Sequence, residues 1–166
     1  MAVRPVVGLP NVVLGQPTPV ITEFDDELRA LVTDLLDTMR VSPGCVGLAA
    51  PQIGVSRRVA VIDLSGHKKA TNNHGELVLV NPSIEARGAT DVAREGCMSV
   101  PDFTGDVVRS TSLTLVWQDG RGEIFRDEFV GFEARAVQHE LDHLDGLLFL
   151  DRVKGREAVF RRKVYK

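Results

Sequence analysis

The residues of this chain best suited to chemistry lie in one short run, Gln138-His139-Glu140-Leu141-Asp142-His143. Apolar residues around it (Ala136, Val137, Leu141, Leu144) recur with a helical period from Glu133 onward, so the run is expected on a helix that Asp145-Gly146 ends. Positions four apart on a helix share a face, and His139 and His143 can therefore aim two imidazoles at one cation. Glu140 stands about 100° round from His139, where it can reach a water on that cation without taking a ligand position. Two nitrogen ligands beside a carboxylate make the pattern of a hydrolytic metal site, with the carboxylate as general base. Two solvated histidines on a surface helix would show the same spacing. The chain has only four histidines, however, and two of them bracket this glutamate.

A catalytic site of this type needs a third protein ligand and one open position. The candidates are Cys97 and Cys45. Cys97 lies between Gly96 and a turn-like stretch, flanked by Glu95 and Ser99, which is not a core-strand environment. It would complete a thiolate and two-imidazole set. If Cys45 joined as well, the result would be a closed structural site without catalysis. Structural zinc modules bring their cysteines in close pairs, and they have no use for a glutamate beside the first histidine. These features favour the open, catalytic set.

The remaining composition sets bounds. A chain of 166 residues is the size of one domain, and we expect a single catalytic domain over residues 1–166. Its net charge of −3 offers no general attraction for nucleic acid. Any contact with a nucleic-acid machine would be local, for instance through Arg156, Arg161, Arg162, Lys163 and Lys166, a run that equally suits a solvated helix face. Two distant cysteines, no signal-like apolar start and no membrane-length apolar run suggest a reducing cytoplasm, or an organelle after removal of a transit peptide.

The elements that must position the motif can be read in order. Pro5, Pro10, Pro17 and Pro19 predict an extended, irregular lead-in over residues 1–21. Phe24, Leu28, Leu31, Val32, Leu35, Leu36 and Met39 then predict an amphipathic helix with Thr22 as N-cap, ended by Ser42-Pro43-Gly44. Small residues dominate 44–52 and would allow close approach of backbone or ligand. Strands are expected over 57–64, 76–81, 84–92, 107–117 and 123–130, the last two joined across Gln118-Asp119-Gly120-Arg121-Gly122 as a hairpin. His67 and His74 fall in a polar loop and read as exposed and non-functional. The order predicts an α+β fold: antiparallel β-sheets packed around a central helix bearing H-E-x-x-H, with an N-terminal amphipathic helix.

Three segments together resemble one family. Gly47-Leu48-Ala49-Ala50-Pro51-Gln52, Glu95-Gly96-Cys97-Met98-Ser99 and Gln138-His139-Glu140-Leu141-Asp142-His143 are similar to the ordered signatures of the peptide deformylases, G-x-G-L-A-A-x-Q, E-G-C-L-S and Q-H-E-x-D-H. The likeness runs over nearly the whole chain. It implies a metal-dependent hydrolase that removes the N-formyl group from the initiator methionine of nascent polypeptides, releasing formate. Carried over by position, Cys97, His139 and His143 would bind the metal, Glu140 would be the general base, and Gln52 and the Met98 N–H would hold the oxyanion. The resemblance implies Fe(II), with zinc, nickel or cobalt able to take its place; the ligand types alone would favour zinc. Val46, Phe132, Ala136 and the face of His139 are expected to form the methionine pocket, with Gly47 and Gly96 lying along the peptide backbone.

The implied partners are N-formylmethionyl nascent chains and the ribosome near its tunnel exit, without direct nucleic-acid binding or a membrane. Glu95 is expected near the substrate, either paired with Arg109 at the pocket mouth or as an independent charge. Asp142 fits equally an imidazole-orienting role and a solvated one. Two positions depart from the pattern: Cys45 stands where the family usually has glycine, and Met98 where it has leucine. Met98 leaves a backbone donor unaffected. Cys45 puts a side chain beside the cleft, where it could alter access or act as an oxidation partner.

Overall fold

A computed structural model describes residues 2–70 and 72–163. The lead-in is irregular apart from a short 3-10 turn, Val12–Gly15. Helix α1 (Asp26–Val41) follows, its Leu28, Leu31, Leu35 and Met39 buried at helical spacing. Its N-cap is Asp25, not Thr22: the Asp25 carboxylate accepts from the Leu28 N–H at 3.0 Å. A carboxylate there satisfies an orphan amide and also meets the positive end of the helix.

Strands β1 (Gly47–Ala49), β2 (Val59–Asp63), β3 (Glu76–Arg87), β4 (Thr90–Cys97), β5 (Val100–Ser110), β6 (Ser112–Gln118), β7 (Ile124–Val130) and β8 (Val159–Arg161) form two antiparallel sheets. One has the order β1-β2-β3-β6-β7 and the other β4-β5-β8. Strand boundaries differ from the sequence expectation: 76–81 and the first part of 84–92 join as β3, β5 begins at Val100, before the expected 107, and the short strands β1 and β8 lie outside the expected runs. The runs 84–92 and 107–117 were each expected to be continuous, but each splits where the chain crosses between sheets, at Gly88-Ala89 and at Thr111. Backbone bonds Gly88 N–H to Ser112 O and Thr111 N–H to Ala89 O tie the two crossings together. A Cβ on Gly88 would lie 2.1 Å from the Ser112 hydroxyl, so a side chain there would oblige that hydroxyl to turn away. Strand-forming residues flank both crossings, Ile84 and Thr90 at the first and Val108 and Leu113 at the second, so propensity alone did not reveal the change of sheet.

Helix α2 (Gly131–Leu144) packs on β1, β2, β6 and β7 of the larger sheet and on β5 of the smaller. Val137, Ala134 and Leu141 join Ile62, Leu79, Leu115 and Phe129 in one buried cluster. Gln138 anchors the helix to β5: its carbonyl accepts from the Ser110 N–H at 2.9 Å and its amide donates to the Ser110 O at 2.8 Å. The C-terminus is closed by a Schellman arrangement, with Leu147 N–H on Asp142 O and Gly146 N–H on His143 O. The lead-in is packed against this end, where Thr18 donates to Leu144 O from both its N–H and its hydroxyl. The loop histidines are less idle than the polar sequence suggests. His67 stacks on Phe132 at 4.6 Å, and exposed His74 stacks on Phe129 while bridging Glu133 and Asp127.

Gly146 combines a φ of +79 with a Cβ position 2.9 Å from the backbone of Gly15 and Gln16. Gly146→Ala is therefore expected to cost about 2 kcal/mol, from left-handed strain and the clash together. Urea unfolding should show a lower midpoint with an unchanged slope; a wild-type midpoint would mean the lead-in is not held against the helix end.

Candidate metal centre and cleft

The site is assembled where the edge strands of the two sheets, β1 and β4, meet α2. A cleft of about 340 Å³ lies between them, lined by every residue expected as a metal ligand, base, oxyanion donor or substrate contact but one: Val46, Gly47, Gln52, Glu95, Gly96, Cys97, Met98, Phe132, Ala136, His139 and Glu140. The exception, His143, is one turn further along α2 and only 1% exposed. Cys97 Sγ lies 3.3 Å from His143 Nε2. One ligand atom from each of Cys97, His139 and His143 falls within 4.8 Å of the other two, so the three can share one ion.

These residues fit a divalent metal on the chemistry of their free atoms. His139 Nδ1 is engaged by Glu95 Oε1 at 2.9 Å, which leaves Nε2 to face Cys97 and His143. Cys97 is buried at the foot of the cleft, and a thiolate with two imidazoles is a set that divalent ions accept. Cys45 stands apart from that set. Burial, with the charge of Glu140 adding to it, pushes the Cys45 thiol up to about 12, and its sulfur lies 3.1 Å from Gly47 O, where the S–H donates. Because the Cys45 sulfur is not among the converging ligand atoms, the closed Cys2His2 alternative lacks its fourth member.

Glu140 is 3% exposed, and its Oε2 has no hydrogen-bond partner. Burial raises its carboxyl to about 7, in the range where a base can both take and return a proton. Its seat depends on Gly47: a Cβ on that residue would lie 3.0 to 3.1 Å from Glu140 Cγ, Cδ and Oε1. The motif glycine was expected to make room for peptide backbone, and the structure shows that it also makes room for this carboxylate.

Gln52 is held in one orientation. The Ala49 N–H donates to its Oε1 at 3.0 Å, so its amide nitrogen faces the cleft, 3.4 Å from Cys97 Sγ and 3.3 Å from Ser99 Oγ. The Ser99 hydroxyl in turn donates to Val7 O at 2.8 Å, which ties this corner to the lead-in. Met98 is the first corner of the two-residue turn between β4 and β5, beside the thiol.

Behind the cleft stands a buried charge network. Arg109 grips Glu95 with two bonds of 3.0 Å, Arg135 adds a third at 3.1 Å, and His139 makes the fourth. The Glu95–Arg109 pair does form, but it lies inside the protein and not at the pocket mouth: the side chains are 11% and 2% exposed. Burial by itself would raise the Glu95 carboxyl, but the bonds from His139 and Arg109 and their charges bring it down to about 2. Asp142 touches neither imidazole and is not solvated. It accepts from Arg109 at 2.5 Å and from Arg152 at 3.3 Å, so it reaches His139 only through Arg109 and Glu95. Arg135 was missed in the sequence, although it stands one helical turn before His139. Lys69, Arg94 and Arg162, which also line the cleft, come from segments with no helical or strand signal pointing there.

Glu95→Gln should weaken metal retention about 10- to 100-fold, measured by competition with a chelator. Wild-type Glu95 has a folded pKa near 2 against an ordinary value of 4.5, so its stabilising contribution is full above that ordinary value and fades as pH falls towards 2. In metal-free protein the stability gap between wild type and Glu95→Gln should accordingly narrow on acidification. A gap independent of pH would remove Glu95 from the network's energetics.

The polypeptide deformylase family model matches residues 3–159. A peptide deformylase of Acidobacterium capsulatum is 45% identical over 164 residues, covering 98% of this chain and 94% of that one. Among solved structures, a peptide deformylase from Legionella pneumophila superposes with a TM-score of 0.84 at 39% identity, covering 92% of this chain and 87% of the other. A class I type b peptide deformylase from Acinetobacter baumannii, solved with Met-Ala-Ser bound, gives 0.83 at 31% identity and covers 92% of this chain and all of the other. With the fold, the three motif segments and the two sheet edges all converging on one cleft, this chain belongs to the polypeptide deformylase family.

Proposed function

We propose that this cleft carries out the family's reaction, removal of the N-formyl group from the N-terminal methionine of newly made polypeptides, with the following division of labour. Cys97, His139 and His143 hold one divalent ion. Glu140 is the general base, and Gln52 with the Met98 N–H receives the oxyanion. The observation that carries this reading is the unpartnered Glu140 oxygen beside three converging ligand atoms in a cleft between two sheet edges.

A bound divalent ion would supply a Lewis acid there, polarising the formyl oxygen and making water more acidic. Glu140 takes the proton of the water that attacks the formyl carbon, then returns it to the departing amine nitrogen. The developing oxyanion meets the Gln52 amide, whose orientation is already set by Ala49, so no reorganisation is needed during the reaction. The methionine side chain enters between Val46, Phe132 and Ala136, apolar residues continuous with the main core. The peptide backbone lies between Gly47 and Gly96 and adds a strand to the exposed edges of β1 and β4. Glu95 serves the substrate indirectly, by holding His139.

Iron(II) is the metal we assign from family resemblance, with zinc, nickel or cobalt as alternatives that the thiolate and imidazole donors also suit. Residues 1–166 act as one catalytic domain in a bacterial-type cytoplasm, where the substrate is an N-formylmethionyl chain at the ribosome. No helix among the described residues is long and apolar enough to cross a membrane. Of the basic end, Lys166 lies outside the described residues, and Arg156, Arg161 and Lys163 are exposed and available to the ribosome.

Protein purified anaerobically should contain one metal per chain and release formate from formyl-Met-Ala-Ser while leaving internal peptide bonds intact. Glu140→Ala should keep its metal and lose activity by about 10²- to 10⁴-fold; metal loss in that variant would make Glu140 a ligand instead. Gln52→Leu should lower kcat by about 10²- to 10³-fold. Endoproteolysis without formate release would replace the whole reading with a metalloprotease.

A further inference from the structure

The cleft carries a charge opposite to that of the chain. The protein is acidic overall, at −3, yet Lys69, Arg94 and Arg162 line the cleft beside the residues of the site. Among the described residues the only carboxylates lining it, Glu95 and Glu140, are almost entirely buried, and Glu95 is already committed to Arg109, Arg135 and His139. The cationic rim is therefore not neutralised from within.

Arg162 is the member with the clearest placement. Strand period puts Arg94 and Gly96 of β4 on one face of the small sheet, and pairing of Gly96 with Thr104 and Thr104 with Phe160 carries that face across to β8. Two residues beyond Phe160, Arg162 returns over the same face, its backbone N–H fixed on Asp102 O at 2.8 Å. Its guanidinium comes to rest on Gly96, so close that a Cβ there would lie 2.6 Å from Nη2. Arg94 stacks on the Phe160 ring at 4.0 Å and is paired with Asp106. The Arg162 guanidinium, by contrast, makes no hydrogen bond or ion pair among the described residues, and its side chain is open to solvent. An unpaired guanidinium lying one residue from the metal-binding thiol, on the glycine along which the peptide is taken to run, has a ready partner in the peptide.

We propose that Arg162 is a specificity-determining residue that favours nascent chains with acidic side chains directly after the formylmethionine, assisted at the rim by Lys69. The proposal rests on the deformylase reading of the cleft. A formylated N-terminus carries no positive charge, so the charge near a substrate's leading end comes from its side chains alone. Guanidinium and carboxylate match as paired donors and acceptors, whereas a lysine or arginine at those positions would meet like charge. The basic end thus divides: Arg162 turns into the cleft, while its neighbours remain free for other contacts.

The test compares kcat/KM for formyl-Met-Glu-Glu, formyl-Met-Ala-Ala and formyl-Met-Lys-Lys on metal-loaded protein, with calorimetric affinities for the three unformylated products. Wild type should prefer the acidic over the neutral peptide by roughly 5-fold, the size expected of a solvent-exposed pair, mainly through KM. That preference should shrink between about 0.05 and 0.5 M salt. Arg162→Ala should bring the acidic-to-neutral ratio close to one, Arg162→Glu should invert it towards the lysine peptide, and Arg162→Lys should keep most of it. An unchanged ratio in Arg162→Ala, or an equal loss on all three peptides, overturns the proposal. Failure of the deformylase reading looks different: no formate from any peptide. Product affinities then decide the Arg162 assignment independently, since a charge preference that disappears in Arg162→Ala supports it and its absence in wild type overturns it.

Discussion

The structure depends most on the buried Glu95 carboxylate and the cations that converge on it. Taking a carboxylate out of water is costly, and the cost is met only when its lone pairs are filled and opposite charge is near. Glu95 satisfies both conditions, with four hydrogen bonds from Arg109, Arg135 and His139. Those three come from two elements, β5 and α2, while Glu95 is on β4. One side chain thereby fastens the small sheet to the helix that bears both histidines. It also fixes the His139 ring so that Nε2 faces Cys97, only two residues along β4 from Glu95. Structural cohesion and ligand orientation are served by the same atoms, and for this reason a buried ion pair is kept where an apolar pair would be a cheaper way to hold sheet to helix.

A second constraint works from the opposite wall. Glu140 packs against Gly47, where a Cβ would crowd its side chain at 3.0 to 3.1 Å, and Gly47 is placed by pairing with Ile62 at the edge of the larger sheet. Strand β1 is just three residues long and runs at once into the 3-10 turn Ala50–Ile53, which carries Gln52. Glu140 and Gln52, the proposed base and oxyanion donor, are therefore positioned by one short segment whose small residues permit backbone to pack tightly on α2. The lead-in completes this wall. Val7 and Thr18 bond respectively to Ser99 and to the end of α2, so a proline-rich segment without regular structure supports both the turn at Met98 and the helix terminus.

How much of this could be read from the sequence varied with how local the signal was. Helix α2 and its His139, Glu140 and His143 spacing are local, and periodicity alone placed them on one helix. The hairpin around Asp119 and Gly122 was equally local. The crossing between sheets at Gly88 and Thr111 was not: strand-forming residues stand on either side of it, and only the register of distant strands shows where each run changes partner. Thr22 looked like the helix cap because it precedes the first apolar residue, Phe24, but the helix begins only after Asp25. Charge partners were the least legible. Arg109 and Arg135 looked like ordinary charged positions in a strand and a helix, and their burial follows from a carboxylate many residues away. Asp142 illustrates the same point: its place in the motif suggested a histidine partner, and its geometry gives it two arginines.

Cys45 shows how a departure from a family pattern can be absorbed without touching the chemistry. Glycine is usual there in the family pattern, and a second thiol lining the cleft invites comparison with the Cys97, His139 and His143 cluster. It does not join them, because its sulfur lies outside the three converging ligand atoms and donates to Gly47 O instead, while burial, with the charge of Glu140 adding to it, favours the protonated thiol. The proton stays on sulfur and points at Gly47 O, where it supports the residue that makes room for Glu140. The thiol thus behaves as a small apolar wall with one weak donor. Burial is the larger cause of that protonation, and the charge of Glu140, the proposed base, adds to it.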